Sequence, residues 1–324
     1  MEKKNTFDMV SDDSDHKFLS HNISGNCFRD TKSALYKRIM KEWKILENNL
    51  PDSIYVKAYE TRIDLLRAVI VGAAGTPYHD GLFFFDIQFP ADYPNNPPKI
   101  HYHSFGYSLN PNLYTDGSIC LSLLNTWQGE RWDPSRSTLL QLLVSIQALV
   151  LNEYPLFNEP LYRIFNRSFH EAKSLTYNED VFVKTCHTAY LIIRTPPKNF
   201  EEFVKEHFRE RGHVLLAACK EYVNGHVRVG YYGYNTNGSS SNNSDNSSTV
   251  IEVRESFQVS LRRAYRRLYT KFKECGASLE TFHHDLNFEV QVESQRSNAG
   301  NGIFEKAMAT IKQALGWKEK EEST

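Results

Sequence analysis

The sequence predicts an α+β fold: an antiparallel four-stranded sheet backed by helices, followed by a mostly helical C-terminal extension. Three observations lead there. Leu35, Ile39, Trp43 and Leu46 recur at helical intervals near the start. Strand-like runs separated by Gly, Pro and Asp turns then follow in close succession. A leucine-rich segment over Ser135–Leu151 restores the helical period.

Taken in order, residues 1–28 are polar, lack a sustained period and are expected to form a flexible tail. The opening helix follows, with Asp30 or Thr31 as its cap, Lys37, Lys41 and Lys44 facing solvent, and Pro51-Asp52 as the turn after it. Strands are expected around Ile54–Glu60, Leu65–Val71 and Leu82–Phe89, with a short fourth at Lys99–His103. Gly75-Thr76-Pro77 and Asp80-Gly81 separate the second and third, the punctuation of an antiparallel meander. Alternate rings of Phe83-Phe84-Phe85 should bury against the opening helix.

Over Ser135–Leu151, Leu139, Leu142, Leu143, Ile146 and Leu149 form the apolar stripe of a helix. Further helices are expected around Glu159–Ala172 and Glu179–Ile193, and Thr195-Pro196-Pro197 ends the second. The extension at 195–324 should then contain helices at Phe200–Asn224, Glu255–Cys275 and Ile303–Leu315, with a flexible Asn/Ser-rich segment at 235–249. Arg262, Arg263, Arg266 and Arg267 make a local basic run, which is either a solvated face or a partner surface.

Composition narrows the function classes. The 324 residues carry 38 basic and 39 acidic side chains, a formal net charge of -1, so overall charge gives no steering toward nucleic acid. No run approaches the roughly 20 apolar residues of a transmembrane helix, and the polar opening is unlike a secretory signal. The expected location is cytoplasmic, nuclear or both. Five scattered cysteines argue against a disulfide scaffold or a closed zinc site, and the isolated His283-His284 pair does not make a metal site.

The chemistry centres on Asn110-Pro111-Asn112-Leu113-Tyr114-Thr115-Asp116-Gly117-Ser118-Ile119-Cys120. Pro111 and Gly117 give a tightly turned approach to the cysteine, and Asn112 can return to it through that turn. A thiolate is a strong nucleophile whose acyl thioester stays labile toward an amine, and an asparagine amide can donate to the oxyanion of transfer. On the residues alone, Cys120 is either a buried structural thiol or a nucleophile. No Cys-His-Asp order supports a protease, because His101 and His103 merely alternate along a strand.

These motifs resemble the ubiquitin-conjugating enzymes, in particular the large subgroup with a conjugating core and additional sequence, over roughly Asp30–Arg194. The resemblance is carried by Tyr93-Pro94-Asn95-Asn96-Pro97-Pro98-Lys99, by Asn110-Pro111-Asn112 and by Gly117-Ser118-Ile119-Cys120-Leu121. Leu123-Leu124-Asn125-Thr126-Trp127 and Gly129-Glu130-Arg131-Trp132-Asp133-Pro134 extend it beyond the cysteine. Asn110 stands where the family often has histidine.

What the resemblance implies is a core at 29–194 with the ubiquitin-conjugating-enzyme-like fold and Cys120 on an exposed, irregular segment. Cys120 would carry ubiquitin as a thioester, Asn112 would support the oxyanion, and Glu159 would be the acidic group at the incoming lysine, with Glu153 the alternative. Implied partners are ubiquitin, its activating enzyme, an E3 ligase and protein lysine substrates. No cofactor is expected on this chain, since ATP is used by the separate activating enzyme. A ubiquitin-like modifier in place of ubiquitin, or a noncatalytic scaffold of the same fold, are the other readings.

Overall fold

The computed structural model describes residues 5–20, 30–126, 129–159, 162, 170–233 and 251–282. The chain divides into two compact units, Met1–Ser278 and Leu279–Thr324. Of the second, residues 279–282 are described and end in one 3-10 turn. Cys27, the tract at 235–249, His283-His284 and the helix expected at Ile303–Leu315 lie outside the described residues.

In the first unit the sheet has five strands, β1 (Phe7–Val10), β2 (Ile54–Tyr59), β3 (Leu65–Val71), β4 (Leu82–Gln88) and β5 (Lys99–Tyr102), in that spatial order. β2 to β5 form the expected antiparallel meander. β1 pairs with β2 in parallel, Phe7 opposite Val56. This corrects both the four-stranded antiparallel expectation and, for these residues, the expectation of a flexible tail. A parallel partner is remote in sequence by necessity, so no local pattern announces it. What holds β1 is tertiary: the Phe7 ring lies 6.0 Å from Trp43 and is buried there.

Helix α1 (Ala34–Asn49) is capped by Ser33, whose side chain accepts from the Tyr36 N–H at 3.1 Å. The expected caps Asp30 and Thr31 lie before it, with Asp30 closing a local turn onto the Lys32 N–H. Ile39, Trp43 and Leu46 face the core, and Lys37, Lys41 and Lys44 face solvent.

Both faces of β3 and β4 are buried, more than one helix layer explains. Phe83 and Phe85 enter the core shared with α1, while Phe84 points to the opposite face and meets Phe200 at 5.2 Å. That outer face is covered by the extension: Phe203 also packs on Tyr55 at 4.5 Å. Phe84 and Phe200, fully buried, each contribute about 1.5–3 kcal/mol, and half-buried Phe203 less. On the same face Arg67, fully buried, forms a two-pronged pair with Asp86 at 2.6 and 3.0 Å and reaches Asp15 of the N-terminal segment at 2.8 Å. Lone buried charges are costly, so both partners must be present together.

The Ser135–Leu151 segment is not one regular helix. α2 (Leu139–Ser145), capped by Thr138, passes into a π-helical turn at Ile146–Val150. The wider turn closes a Leu151 N–H to Ile146 carbonyl bond at 3.0 Å and rotates Leu149 outward, where it is exposed instead of lining the core. Glu42 of α1 joins these parts. Its buried carboxylate accepts from the Tyr93 hydroxyl at 2.8 Å and the Leu139 N–H at 3.0 Å.

The helix expected over Glu159–Ala172 falls largely outside the described residues. α3 (Glu171–Arg194), α4 (Glu201–Val223) and α5 (Glu255–Glu274) account for the later helical patterns. No described helix is long and apolar enough to cross a membrane.

Candidate active site

The Asn110–Cys120 segment folds as a narrow loop closed by single bridges, Asn110 with Leu113 and Leu113 with Ile119. Gly117 makes its reversal possible. Its φ is +87°, and a Cβ there would fall 2.0 Å from the His101 ring. The Tyr102 N–H of β5 then donates to the Gly117 carbonyl at 2.8 Å, fastening the loop to the sheet edge.

Asn110 holds the loop from below. It is buried, and its amide donates to the Tyr78 hydroxyl at 2.8 Å and to the Val150 carbonyl at 2.7 Å. Its oxygen accepts from the Asn112 N–H at 2.8 Å and from the Asn158 amide at 3.2 Å. The position where the family often has histidine is thus filled by a residue using both ends of its amide.

Asn112 and Cys120 are brought together as the sequence predicts. The Asn112 side chain donates to the Cys120 carbonyl at 2.7 Å, and the Cys120 N–H donates to the Asn112 carbonyl at 2.9 Å.

Cys120 sits on an irregular segment just before a 3-10 turn at Ser122–Leu124, but it is not openly exposed. Only 8% of its surface is accessible. The chain folds back at Thr126, whose carbonyl accepts from the Cys120 Sγ at 3.1 Å and whose hydroxyl accepts from the Leu121 N–H at 2.8 Å. This cover corrects the expected exposure. Desolvation pushes the thiol above the usual cysteine range, and hydrogen bonds to the Thr126 and Tyr114 side chains oppose that rise.

Tyr114, to which the sequence pattern gives no role, also lies beside Cys120. Two residues after Asn112, it is 47% exposed while its hydroxyl bonds to the Cys120 sulfur. Partial desolvation raises its phenol above the ordinary range, and the charges of Cys120 and Glu159 raise it further. Glu159 follows the 3-10 turn at Pro155–Asn158, and no described hydrogen bond or ion pair joins its carboxylate to Cys120 or Asn112. Glu153 is engaged elsewhere, accepting from the Tyr231 hydroxyl. The only signal for Tyr114 was its place between Asn112 and the Gly117 turn.

Among the described residues no three His, Cys, Asp or Glu side chains form a group that could hold a metal ion. A cleft of about 1160 Å³ lined by Asp52, Tyr55, Phe203 and Arg211 includes neither Cys120 nor Asn112. The arrangement can nonetheless support acyl exchange at sulfur, with a phenol at the thiol and an amide donor bonded to the same cysteine's carbonyl.

Comparison with known proteins agrees with this geometry. Residues 38–182 match the family described as ubiquitin-conjugating enzyme. The Arabidopsis thaliana protein named "Probable ubiquitin-conjugating enzyme E2 23" is 46% identical over 86% of this chain and 25% of its own length. "Putative ubiquitin-conjugating enzyme E2 38" of the same plant is 52% identical over 68% of this chain and 68% of its own length. The human "Dual E2 ubiquitin-conjugating enzyme/E3 ubiquitin-protein ligase BIRC6" is 37% identical over 67% of this chain and 5% of its own length. The chain spans 25%, 29% and 40% of the length of three curated relatives it matches. With Asn112 and Cys120 joined across one closed loop on a sheet edge and this identity over most of the chain, the protein belongs to the ubiquitin-conjugating enzyme family.

Proposed function

We propose that this chain is an E2 ubiquitin-conjugating enzyme that carries ubiquitin on Cys120 and passes it to a substrate lysine. The observation that carries this reading is the reciprocal hydrogen bonding of Asn112 and Cys120, which places an amide donor beside the only cysteine in the family's motif.

In the first step the Cys120 thiolate attacks the thioester joining ubiquitin to its activating enzyme. The new carbon–sulfur bond forms as the activating enzyme's thiolate leaves. ATP is spent by that enzyme, so this chain needs no nucleotide. In the second step a neutral lysine amine attacks the Cys120 thioester carbonyl, and the oxyanion accepts from the Asn112 amide. Collapse expels the Cys120 thiolate, the nitrogen gives up its extra proton to solvent or to that thiolate, and an amide bond remains. Glu159, acting beside Tyr114, orients the incoming ammonium and favours its loss of a proton.

The exposed Lys37, Lys41 and Lys44 face and the Pro94–Pro98 loop are the surfaces proposed for the activating enzyme and an E3 ligase. The four described cysteines are free thiols, which suits a reducing compartment such as cytosol or nucleus.

A charging assay with purified activating enzyme, ATP and ubiquitin tests the reading, with mass measured before and after thiol reduction. The expected result is one ubiquitin on Cys120, lost on reduction and absent from Cys120→Ala. Charging with a ubiquitin-like modifier alone would reassign the cargo. No adduct with any competent activating enzyme would leave a noncatalytic scaffold.

A further inference from the structure

The basic run singled out in the sequence is not uniform in the structure. Arg254, at the start of α5, is fully paired with α3, reaching Glu179 at 2.6 Å and Asp180 at 2.8 Å. Arg194 of α3 and Arg263 and Arg267 of α5 are exposed, and none forms an ion pair among the described residues.

These three arginines share one surface. Arg194 and Arg267 lie over the same Tyr190 ring, 5.6 and 5.8 Å from its centre. Arg263 and Arg267 both act on His187 of α3, whose Nε2 has no hydrogen-bond partner among the described residues. Stacking on Tyr190 limits the freedom of two long side chains, so less entropy is lost when they bind. The surface also adjoins the loop that leads into the site. His187 lies 5.7 Å from the Tyr107 ring, and the Lys184 Nζ donates to the Ser108 carbonyl at 3.0 Å, two residues before Asn110.

We propose that this Arg194–Arg263–Arg267 surface binds an acidic polypeptide segment and thereby selects, for the transfer proposed above, substrate proteins that carry Asp/Glu-rich stretches near the target lysine. Arginine forks match carboxylates in a two-pronged geometry, and among the described residues no carboxylate pairs with any of the three. A protein chain fits better than the other anionic macromolecules. The formal net charge of -1 supplies no general attraction to nucleic acid. Of the exposed large apolar residues, Val259 alone lies on either helix, too little to enter a lipid surface.

The substrate selection rests on the transfer reading, whereas the binding does not, so two readouts are needed on the full chain. The first is the affinity for a fluorescein-labelled alternating Glu-Gly peptide, against its Gln-Gly counterpart, single-stranded DNA and phosphatidylserine vesicles. The expected outcome is preference for the Glu-Gly peptide, weakened by salt, and about tenfold loss in Arg194→Gln/Arg263→Gln/Arg267→Gln. Lys205→Gln/Arg209→Gln/Arg228→Gln, which removes the same charge elsewhere, should bind as wild type does. The second readout is transfer from charged Cys120 to a lysine placed in each peptide. The arginine variant should lose the preference for the acidic peptide while discharging to free lysine unchanged.

Equal binding of the acidic and neutral peptides, equal loss in both variants, or tighter binding of DNA or vesicles than of peptide would overturn the proposal. An unchanged acidic preference in transfer would overturn substrate selection. Failure of the wild type to charge at all would instead strike the function assigned to Cys120, and the binding readout would still decide the surface.

Discussion

Asn112 and Cys120 exchange hydrogen bonds in both directions: the Asn112 side-chain amide donates to the Cys120 carbonyl at 2.7 Å, and the Cys120 N–H donates to the Asn112 backbone carbonyl at 2.9 Å. One N–H of the amide is thereby committed to holding the loop. The other remains to meet an oxyanion at the cysteine, because an asparagine amide carries two donors.

Loop support and oxyanion support predict different variants. Asn112→Ala removes both. Asn112→Asp keeps the shape but offers no N–H. Both should slow single-turnover discharge to free lysine by about 10²–10³-fold, with a smaller effect on charging. Wild-type discharge by Asn112→Asp would limit this residue to holding the loop.

Asn110 should be mainly a stability determinant. Replacing it with Ala leaves the Asn112 N–H without its acceptor and the Val150 carbonyl with only the Asn158 amide at 3.2 Å, a cost of about 1–3 kcal/mol. Thermal unfolding of Asn110→Ala should show a lower melting temperature. Asn110→His, which retains ring nitrogens at the same position, should fall between that variant and wild type.

Tyr114→Phe removes a hydrogen bond that holds the Cys120 thiol down against desolvation. The thiol should titrate higher, and its thiolate fraction at neutral pH should fall. The rate of iodoacetamide labelling at Cys120, mapped by mass spectrometry across pH, should shift toward alkaline pH. A profile that stays in place would remove Tyr114 from the sulfur's surroundings.

Acid should loosen the N-terminal segment through His16. Its Nε2–H donates to the Leu66 carbonyl at 3.0 Å, and its Nδ1 accepts from the Phe18 N–H at 3.3 Å, so the neutral ring is fully used. Burial lowers its pKa from the ordinary 6.5, Asp86 works to raise it, and Arg67 and His103 lower it further. Since the folded state binds the proton less readily than the unfolded chain, this contribution is complete above about pH 6.5 and is lost as pH falls below it. The melting temperature should therefore drop by a few degrees more in wild type than in His16→Gln on acidification through that range. Equal slopes would exclude His16 as the source.

Much of the conjugating core was legible because its signals are local. The α1 stripe, the meander from β2 to β5 and the turn residues around Gly117 each show in a few consecutive residues. The pairing of Asn112 with Cys120 was legible for the same reason, since both lie on one short loop. Tyr114 was not, because its importance depends on which way a turn residue points.

What the amino-acid order determined by itself was the period of each element and the presence of a cysteine and an asparagine at loop spacing. Only the tertiary structure decided which surfaces remain free. β1 joins the sheet in parallel from a remote segment, Phe200 and Phe203 close the sheet's outer face, and the fold-back at Thr126 covers the reactive sulfur. Each of these joins segments whose partners are chosen by shape, charge and burial in three dimensions, and periodicity along the chain carries no record of such choices.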